Sequence, residues 1–250
     1  MTPVTLTVSV VIPAKNEADN IVALVDAIDL AMAAHAPFEI IVVDDGSADA
    51  TVSVLTARAV TMPHLRIVRH DQSGGQSAAV HSGVSAAAAQ VVCTLDGDGQ
   101  NPPEELPGLV APLLRDLTGR IGLVAGQRVG RQDTWSKKIA SQVANGIRGW
   151  ILKDGTRDTG CGLKAFRRDA FLALPYFNHM HRYLPALFAR DGWQVAHVDV
   201  THRPRGAGQS NYSNLQRALV GIVDLAGVAW LLRRRKKAHV LAVAQRQPDA

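Results

Sequence analysis

One device recurs through the first half of the chain: a short run of apolar, often β-branched residues that stops at polar or acidic residues, followed by an alanine-rich stretch of helix-like composition. Runs at residues 7–12, 39–43, 66–69, 91–95 and 122–126 read as strands, and 17–34, 49–59, 76–89 and 103–114 as the helices between them. Consecutive parallel strands need a long return segment, so this alternation predicts a parallel sheet wound with crossover helices. The runs are apolar throughout, as strands are when helices cover both faces of a sheet. The expected fold is therefore α/β, a mostly parallel, Rossmann-like sheet flanked by helices. Beyond about residue 130 the rhythm changes to longer helical and loop segments, with an edge strand expected at 194–203. Residues 1–213 read as one domain, and 214–250 as an appended apolar, amphipathic helix with a basic tail.

Ligands of open α/β sheets bind beyond the carboxyl ends of the strands. Polar residues cluster there: Lys15, Asn16 and Glu17 after the first run, Asp44 and Asp45 after the second, Asp96 and Asp98 after the fourth. Two carboxylates one residue apart at a strand tip can hold a hard divalent cation that keeps open positions for phosphate oxygens. A calcium-binding EF-hand loop is excluded, because its sixth position would be Asn101 in place of Gly and its twelfth Pro107 in place of Glu. In Asp44-Asp45-Gly46-Ser47 a carboxylate can accept hydrogen bonds from a ribose hydroxyl or a base N–H, while Ser47 or Asp49 alternatively caps the next helix. Ser73-Gly74-Gly75-Gln76-Ser77 opens a helix, either as a simple turn or to bring N–H groups to a phosphate or sugar. Arg128, Arg131, His202, Arg203 and Arg205 are candidate anion grips or plain surface charges. His81 and His179 are assigned no chemical role.

The 250 residues are 47% apolar, enough for a core, and the net charge of +5 favours anionic partners without choosing among nucleotides, phospholipids and nucleic acids. Cys93 and Cys161 lack metal-ligand spacing and make no disulfide framework, which suits a reducing cytosol. Residues 1–13 carry no Lys or Arg before their apolar run, unlike a secretory signal. The apolar stretch 218–232 is interrupted by Asp224 and is shorter than the ~20 residues that cross a bilayer. Arg233, Arg234, Arg235, Lys236 and Lys237 follow it at once, so it reads either as a helix lying on an anionic membrane surface or as a core or dimer helix ended by cations.

Taken in order, SVVIPAKNE, IIVVDDGS, GGQSAAVHSGV, LDGDGQNPPEE, GQRVGRQD, DTGCGLKAFRR, RYLPAL and HRPRGAGQSNY resemble the family 2 glycosyltransferases of the GT-A fold, in their polyprenyl-phosphate and dolichyl-phosphate sugar synthase branch. The resemblance spans residues 9–212. It implies that Pro13, Asn16, Glu17, Asp44, Asp45, Gly75 and Gln76 line the nucleotide-sugar site, and that Asp96, Asp98 and Gln100 surround a Mg²⁺ or Mn²⁺ and the donor phosphates. It implies further that Arg128 and Arg131 face the acceptor phosphate or donor diphosphate, that Asp158 lies near the reacting sugar, and that Arg203, Arg205 and Ser210 fold over the donor. Relatives often carry lysines where Gln209 and Asn211 stand here, which leaves Arg203 and Arg205 to supply the positive charge of that loop.

The implied activity is inverting transfer of a sugar from a nucleotide-sugar to a polyprenyl phosphate, at the inner face of the cytoplasmic membrane. The GGQSAAV and DGDGQNPPEE stretches are more similar to bacterial enzymes that use UDP-sugars than to GDP-mannose enzymes. No nucleic-acid partner is expected, and a homo-oligomer is compatible with the sequence. Two other readings stay open: a haloacid-dehalogenase-like phosphatase with Asp96 as nucleophile, and a non-catalytic subunit that binds nucleotide-sugar or lipid. A Rossmann dehydrogenase is disfavoured, since Pro13-Ala14-Lys15-Asn16-Glu17 stands where a GxGxxG would.

Overall fold

The computed structural model describes residues 6–129, 146, 148–152, 154–201, 214–234 and 238. Seven strands form one sheet: β1 (Val8–Ala14), β2 (Phe38–Asp44), β3 (Leu65–Arg69), β4 (Val91–Thr94), β5 (Ile121–Arg128), β6 (Lys164–Arg167) and β7 (Gln194–Val200), in the spatial order β3-β2-β1-β4-β6-β5-β7. The helices are α1 (Ile21–Met32), α2 (Thr51–Ala59), α3 (Gln76–Ala86), α4 (Leu106–Arg115), α5 (Arg168–Leu172), α6 (Leu184–Arg190) and α7 (Asn214–Arg233), besides a helical turn at 148–152.

Period-two alternation sorts the strand residues between two cores. Val8, Val10 and Ile12 of β1, Ile40 and Val42 of β2, and Val91 and Cys93 of β4 meet Ile21, Val25 and Ile28 of α1, Leu55 of α2 and Leu109 of α4. Val11, Ile41, Val43 and Val92 point the other way, towards Val80 and Val84 of α3, Phe171 of α5, Leu187 of α6 and Val228 of α7. Each fully buried Val or Ile removes enough apolar surface from water to contribute roughly 1.5–3 kcal/mol. The uninterrupted apolar runs of β1, β2 and β4 thus force helices onto both faces.

β1 pairs in parallel with β2 and β4, and β2 with β3. β6 is the exception, antiparallel to both β4 and β5, while β7 closes the edge parallel to β5. The strand expected at 194–203 ends at Val200, with Thr201 already outside it, and does occupy an edge. The helix expected from residue 17 begins at Ile21 instead, because Glu17 accepts the first turn bonds from the N–H groups of Asn20 and Ile21.

α7 packs Leu225, Val228 and Leu232 onto the second core, close to α6. Asp224, which interrupts its apolar run, faces protein: its carboxylate lies 2.9 Å from His179 Nδ1. No helix among the described residues is long and apolar enough to cross a membrane.

Candidate functional site

Because β1, β2 and β4 are parallel neighbours, Ala14, Asp44 and Thr94 end at one edge of the sheet. The winding reverses between β1 and β4: β2 and β3 lie on one side, β6, β5 and β7 on the other. Strand ends diverge at such a switch point and leave a crevice. A cavity of about 330 Å³ opens there, with Pro13, Gln76, Asp96, Lys164, His181 and Arg182 in its wall.

Asp96 follows β4 directly. Gln76, the first residue of α3, donates from Nε2 to Asp96 Oδ1 at 2.6 Å. The other carboxylate oxygen rests against Gly162, where an added Cβ would stand 2.3 Å from it. Thr94 Oγ1 donates to Gly162 O at 3.0 Å and so fixes that loop beside the strand tip. Burial pushes the Asp96 carboxyl above the usual carboxylate range, the neighbouring Asp98 charge pushes it further, and the Lys164 ammonium opposes both. Asp98 Oδ1 accepts the N–H of Gln100 at 3.2 Å. Two repelling carboxylates at a strand tip form a hard oxygen donor set suited to Mg²⁺ or Mn²⁺ with phosphate oxygens completing the shell.

The second acidic pair divides its work. Asp45 is buried and its carboxylate accepts four hydrogen bonds, all at 2.8 Å: His70 Nδ1 and the Gly74 N–H on Oδ1, Ser73 Oγ and the Gly75 N–H on Oδ2. Those bonds outweigh burial and hold Asp45 below the usual carboxylate range. The N–H groups of Gly74 and Gly75 are therefore engaged with Asp45, and Gln76 is the residue of this turn that reaches the cavity. Asp44 is fully buried; Oδ1 accepts the Ser47 N–H at 3.3 Å, and Oδ2 has Arg69 Nε at 3.8 Å but no hydrogen-bond partner.

Asn16 and Glu17 knit the first loop to the second. The Asn16 side chain accepts the Ala48 N–H at 2.8 Å, while the N–H groups of Asn16, Glu17 and Ala18 donate to Ser47 Oγ, Thr51 Oγ1 and Asp49 Oδ2. Asp49 also accepts the N–H of Thr51, the first residue of α2, at 3.0 Å, so it supports both the loop and the helix start.

Arg128, at the end of β5, forms a two-pronged pair with Asp158: Nε to Oδ2 at 2.5 Å and Nη2 to Oδ1 at 2.8 Å. That contact raises the Arg128 guanidinium further above its ordinary value. Arg128 thus meets Asp158, the residue that the resemblance implies lies near the reacting sugar. Arg131, His202, Arg203, Arg205 and Ser210 lie outside the described residues.

Three residues in the wall bring ionisable side chains that the sequence reading left unassigned: Lys164, His181 and Arg182. Lys164 begins β6, is 4% exposed, and donates from Nζ to Cys161 O; burial pulls its ammonium below the ordinary lysine value. His181 bonds Ser77 on α3 at 2.7 Å. Lys164 closes DTGCGLK and the other two adjoin or open RYLPAL, so they fell within or beside motifs already singled out. Only their approach across the fold marks them as site residues. His81 packs against Phe171 and Tyr176, and His179 docks α7.

A doubly wound sheet with an acidic strand tip at its switch point defines an open α/β protein whose ligand site lies beyond the carboxyl ends of its strands. The glycosyl transferase family 2 model matches residues 9–174, and the chain belongs to that family. It is 34% identical over 239 residues to dodecaprenyl-phosphate galacturonate synthase of Rhizobium johnstonii, covering 93% of this chain and 69% of that one. It is also 34% identical over 208 residues to undecaprenyl-phosphate 4-deoxy-4-formamido-L-arabinose transferase of Sodalis glossinidius, covering 82% of this chain and 63% of that one. It therefore spans about two thirds of the length of these relatives. Among solved structures, glucosyl-3-phosphoglycerate synthase from Mycobacterium tuberculosis with Mn²⁺, UDP and glucosyl-3-phosphoglycerate superimposes with a TM-score of 0.67, at 23% identity over 90% of this chain and 79% of that one. The same enzyme with Mg²⁺ and UDP gives 0.68, at 22% identity over 90% and 79%. These structures share the fold.

Proposed function

We propose that the chain transfers a sugar, with inversion, from a nucleotide-sugar to a polyprenyl phosphate at a membrane surface, and that the donor is a UDP-sugar. The observation that carries this reading is the acidic strand tip, whose Asp96 lines a cavity that the cations Lys164 and Arg182 also line, with Asp98 two residues on. A lipid phosphate is mostly dianionic near pH 7, so it attacks the anomeric carbon without a general base. The new bond joins phosphate oxygen to that carbon as the bond to the nucleoside diphosphate breaks on the opposite face.

Asp96, Asp98 and Gln100 would hold a Mg²⁺ or Mn²⁺, which when bound neutralises charge on the departing diphosphate. Gln76 and Gly162 set the orientation of the Asp96 carboxylate. Arg128 holds Asp158 so that it positions the sugar instead of removing a proton. Asp44, fully buried at the same strand edge, stands close to the base and ribose pocket without lining it. Pro13 and Asn16 border the nucleotide side; by the resemblance, Arg131 would face the acceptor phosphate or the donor diphosphate, and Arg203, Arg205 and Ser210 would belong to the loop that folds over the donor.

The membrane reading draws support from α7. Ile222, Val223 and Trp230 are exposed on the face away from the core, Arg233 ends the helix with Arg234 next to it, and three more basic residues follow in sequence. That pattern fits a peripheral enzyme on the inner face of the cytoplasmic membrane. Residues 214–250 would form the surface-associated appendage to a 1–213 catalytic domain.

The test is incubation with a panel of radiolabelled nucleotide-sugars, polyprenyl phosphate and Mg²⁺ or Mn²⁺, followed by counting of the lipid phase. Label is expected in lipid from a UDP-sugar, and Asp96→Ala or Asp98→Ala abolishes it. Label that never enters lipid, or full metal-dependent activity in both variants, would sink the assignment.

A further inference from the structure

Ser77 and His181 are 104 residues apart and meet beside the cavity that His181 lines, with Ser77 Oγ 2.7 Å from His181 Nδ1. The same Oγ accepts the backbone N–H of His181 at 3.3 Å. Ser77 is 1% exposed. Among the described residues its hydroxyl proton has a single acceptor within reach, Nδ1; other helical serines here, Ser53 and Ser85, bond carbonyls of the preceding turn, whereas Ser77 makes no such bond to a described residue. A buried hydroxyl without an acceptor is costly. Ser77 therefore donates to Nδ1, which fixes the imidazole tautomer: the ring proton sits on Nε2. His181 lines the cavity, and Nε2 is the ring nitrogen not bound by Ser77.

Burial pulls His181 down to about 3, and the charges of Lys164, Arg182 and His179 act in the same direction. The imidazole is neutral at any working pH. With its proton on Nε2 it offers the cavity neither a base nor a charge, only an uncharged N–H. The anionic parts of a nucleotide-sugar or lipid phosphate have Lys164 and Arg182 in the same wall to meet them. A neutral donor is matched to a neutral acceptor, a hydroxyl or ring oxygen. Resting on the nucleotide-sugar reading, we infer that His181 is a specificity residue whose Nε2–H hydrogen-bonds the transferred sugar, and that Ser77 is the positioning residue that sets its tautomer.

Two measurements test this. In the wild-type protein, long-range ¹H–¹⁵N correlation of the imidazole is expected to show the proton on Nε2, and Ser77→Ala to populate both tautomers. A proton on Nδ1, or an unchanged tautomer in Ser77→Ala, overturns the inference. Calorimetric titrations with Mn²⁺ then compare UDP with UDP-glucose, UDP-galacturonate and UDP-N-acetylglucosamine. His181→Ala is expected to weaken the best-bound UDP-sugar about tenfold, the worth of one good hydrogen bond, and to change UDP less than twofold. An equal loss for both ligands, or no loss for either, overturns it. Wild-type protein that binds none of the nucleotides would instead sink the glycosyltransferase reading, a failure separate from the tautomer result.

Discussion

Asp96 has room for its carboxylate only because residue 162 lacks a side chain. A Cβ on Gly162 would lie 2.3 Å from Asp96 Oδ2, 2.5 Å from its Cγ and 2.6 Å from Oδ1, so the whole group would have to move. Displacing a reacting group by an ångström costs about a hundredfold in rate. Gly162→Ala is expected to lower kcat/KM for lipid glycosylation by about that factor while the circular dichroism spectrum keeps the shape of the parent's. Glu39 shows the same dependence on neighbours in the core. Burial would raise it, but Ser9 Oγ at 2.6 Å, the Ala88 N–H at 2.7 Å and Arg66 at 2.5 Å hold it below its ordinary value of 4.5. A carboxyl lowered in the folded state stabilises the fold fully above its unfolded pKa, and that contribution fades as pH falls through the folded one. Glu39→Gln should thus cost about 1–3 kcal/mol at pH 7. Its stability, followed by urea denaturation, should also fall less steeply than wild type below pH 4.5; parallel acid limbs would refute the coupling.

Among the elements, α3 sets the back wall of the site, since it delivers Gln76 and Ser77 from its first turn and rests on β1 through Gly83. A Cβ at Gly83 would stand 2.4 Å from Val11 Cγ1 and 3.0 Å from Val43 Cγ2. Overpacking of this kind typically costs ~1–3 kcal/mol. Gly83→Ala is expected to lower the urea midpoint with an unchanged slope, and to weaken donor binding because the helix start shifts with the helix. β6 is the other decisive element. It runs antiparallel between β4 and β5, and so carries the 158–162 loop to Asp96 and Lys164 into the cavity wall. Its four residues, Lys-Ala-Phe-Arg, contain two charges and no alternation that announces a central strand. They become a strand because Thr94 and Ala125 offer unpaired backbone on both sides of Lys164.

For the molecule as a whole, α7 brings opposite faces to bear on core and solvent. Its inner side joins the second core through Val228, and its outer side presents Ile222, Val223 and Trp230, with the Arg234 guanidinium 5.8 Å from the Trp230 ring. Each basic residue near an anionic bilayer contributes roughly 1 kcal/mol. Replacing Arg233 and Arg234 together by alanine should therefore weaken partition onto anionic vesicles roughly thirtyfold, with little effect on neutral ones. Equal flotation of the two proteins with anionic vesicles would remove α7 as the contact.

Read from residues alone, the parallel sheet, its order of strands and helices through α4, and the acids beyond β1, β2 and β4 were all legible. Period, apolar run length and the polar residues that end a strand are local properties, and parallel winding turns them into one shared edge. What each side chain does at that edge was decided by tertiary structure. Asp45 gathers the 70–75 loop, Arg128 closes on Asp158, Asp224 turns inward to His179, and His181 takes its tautomer from a serine far away in sequence. These outcomes depend on which donors and charges arrive within about 3 Å of one another once the chain is packed, and a linear sequence carries no record of distances between residues brought together by folding.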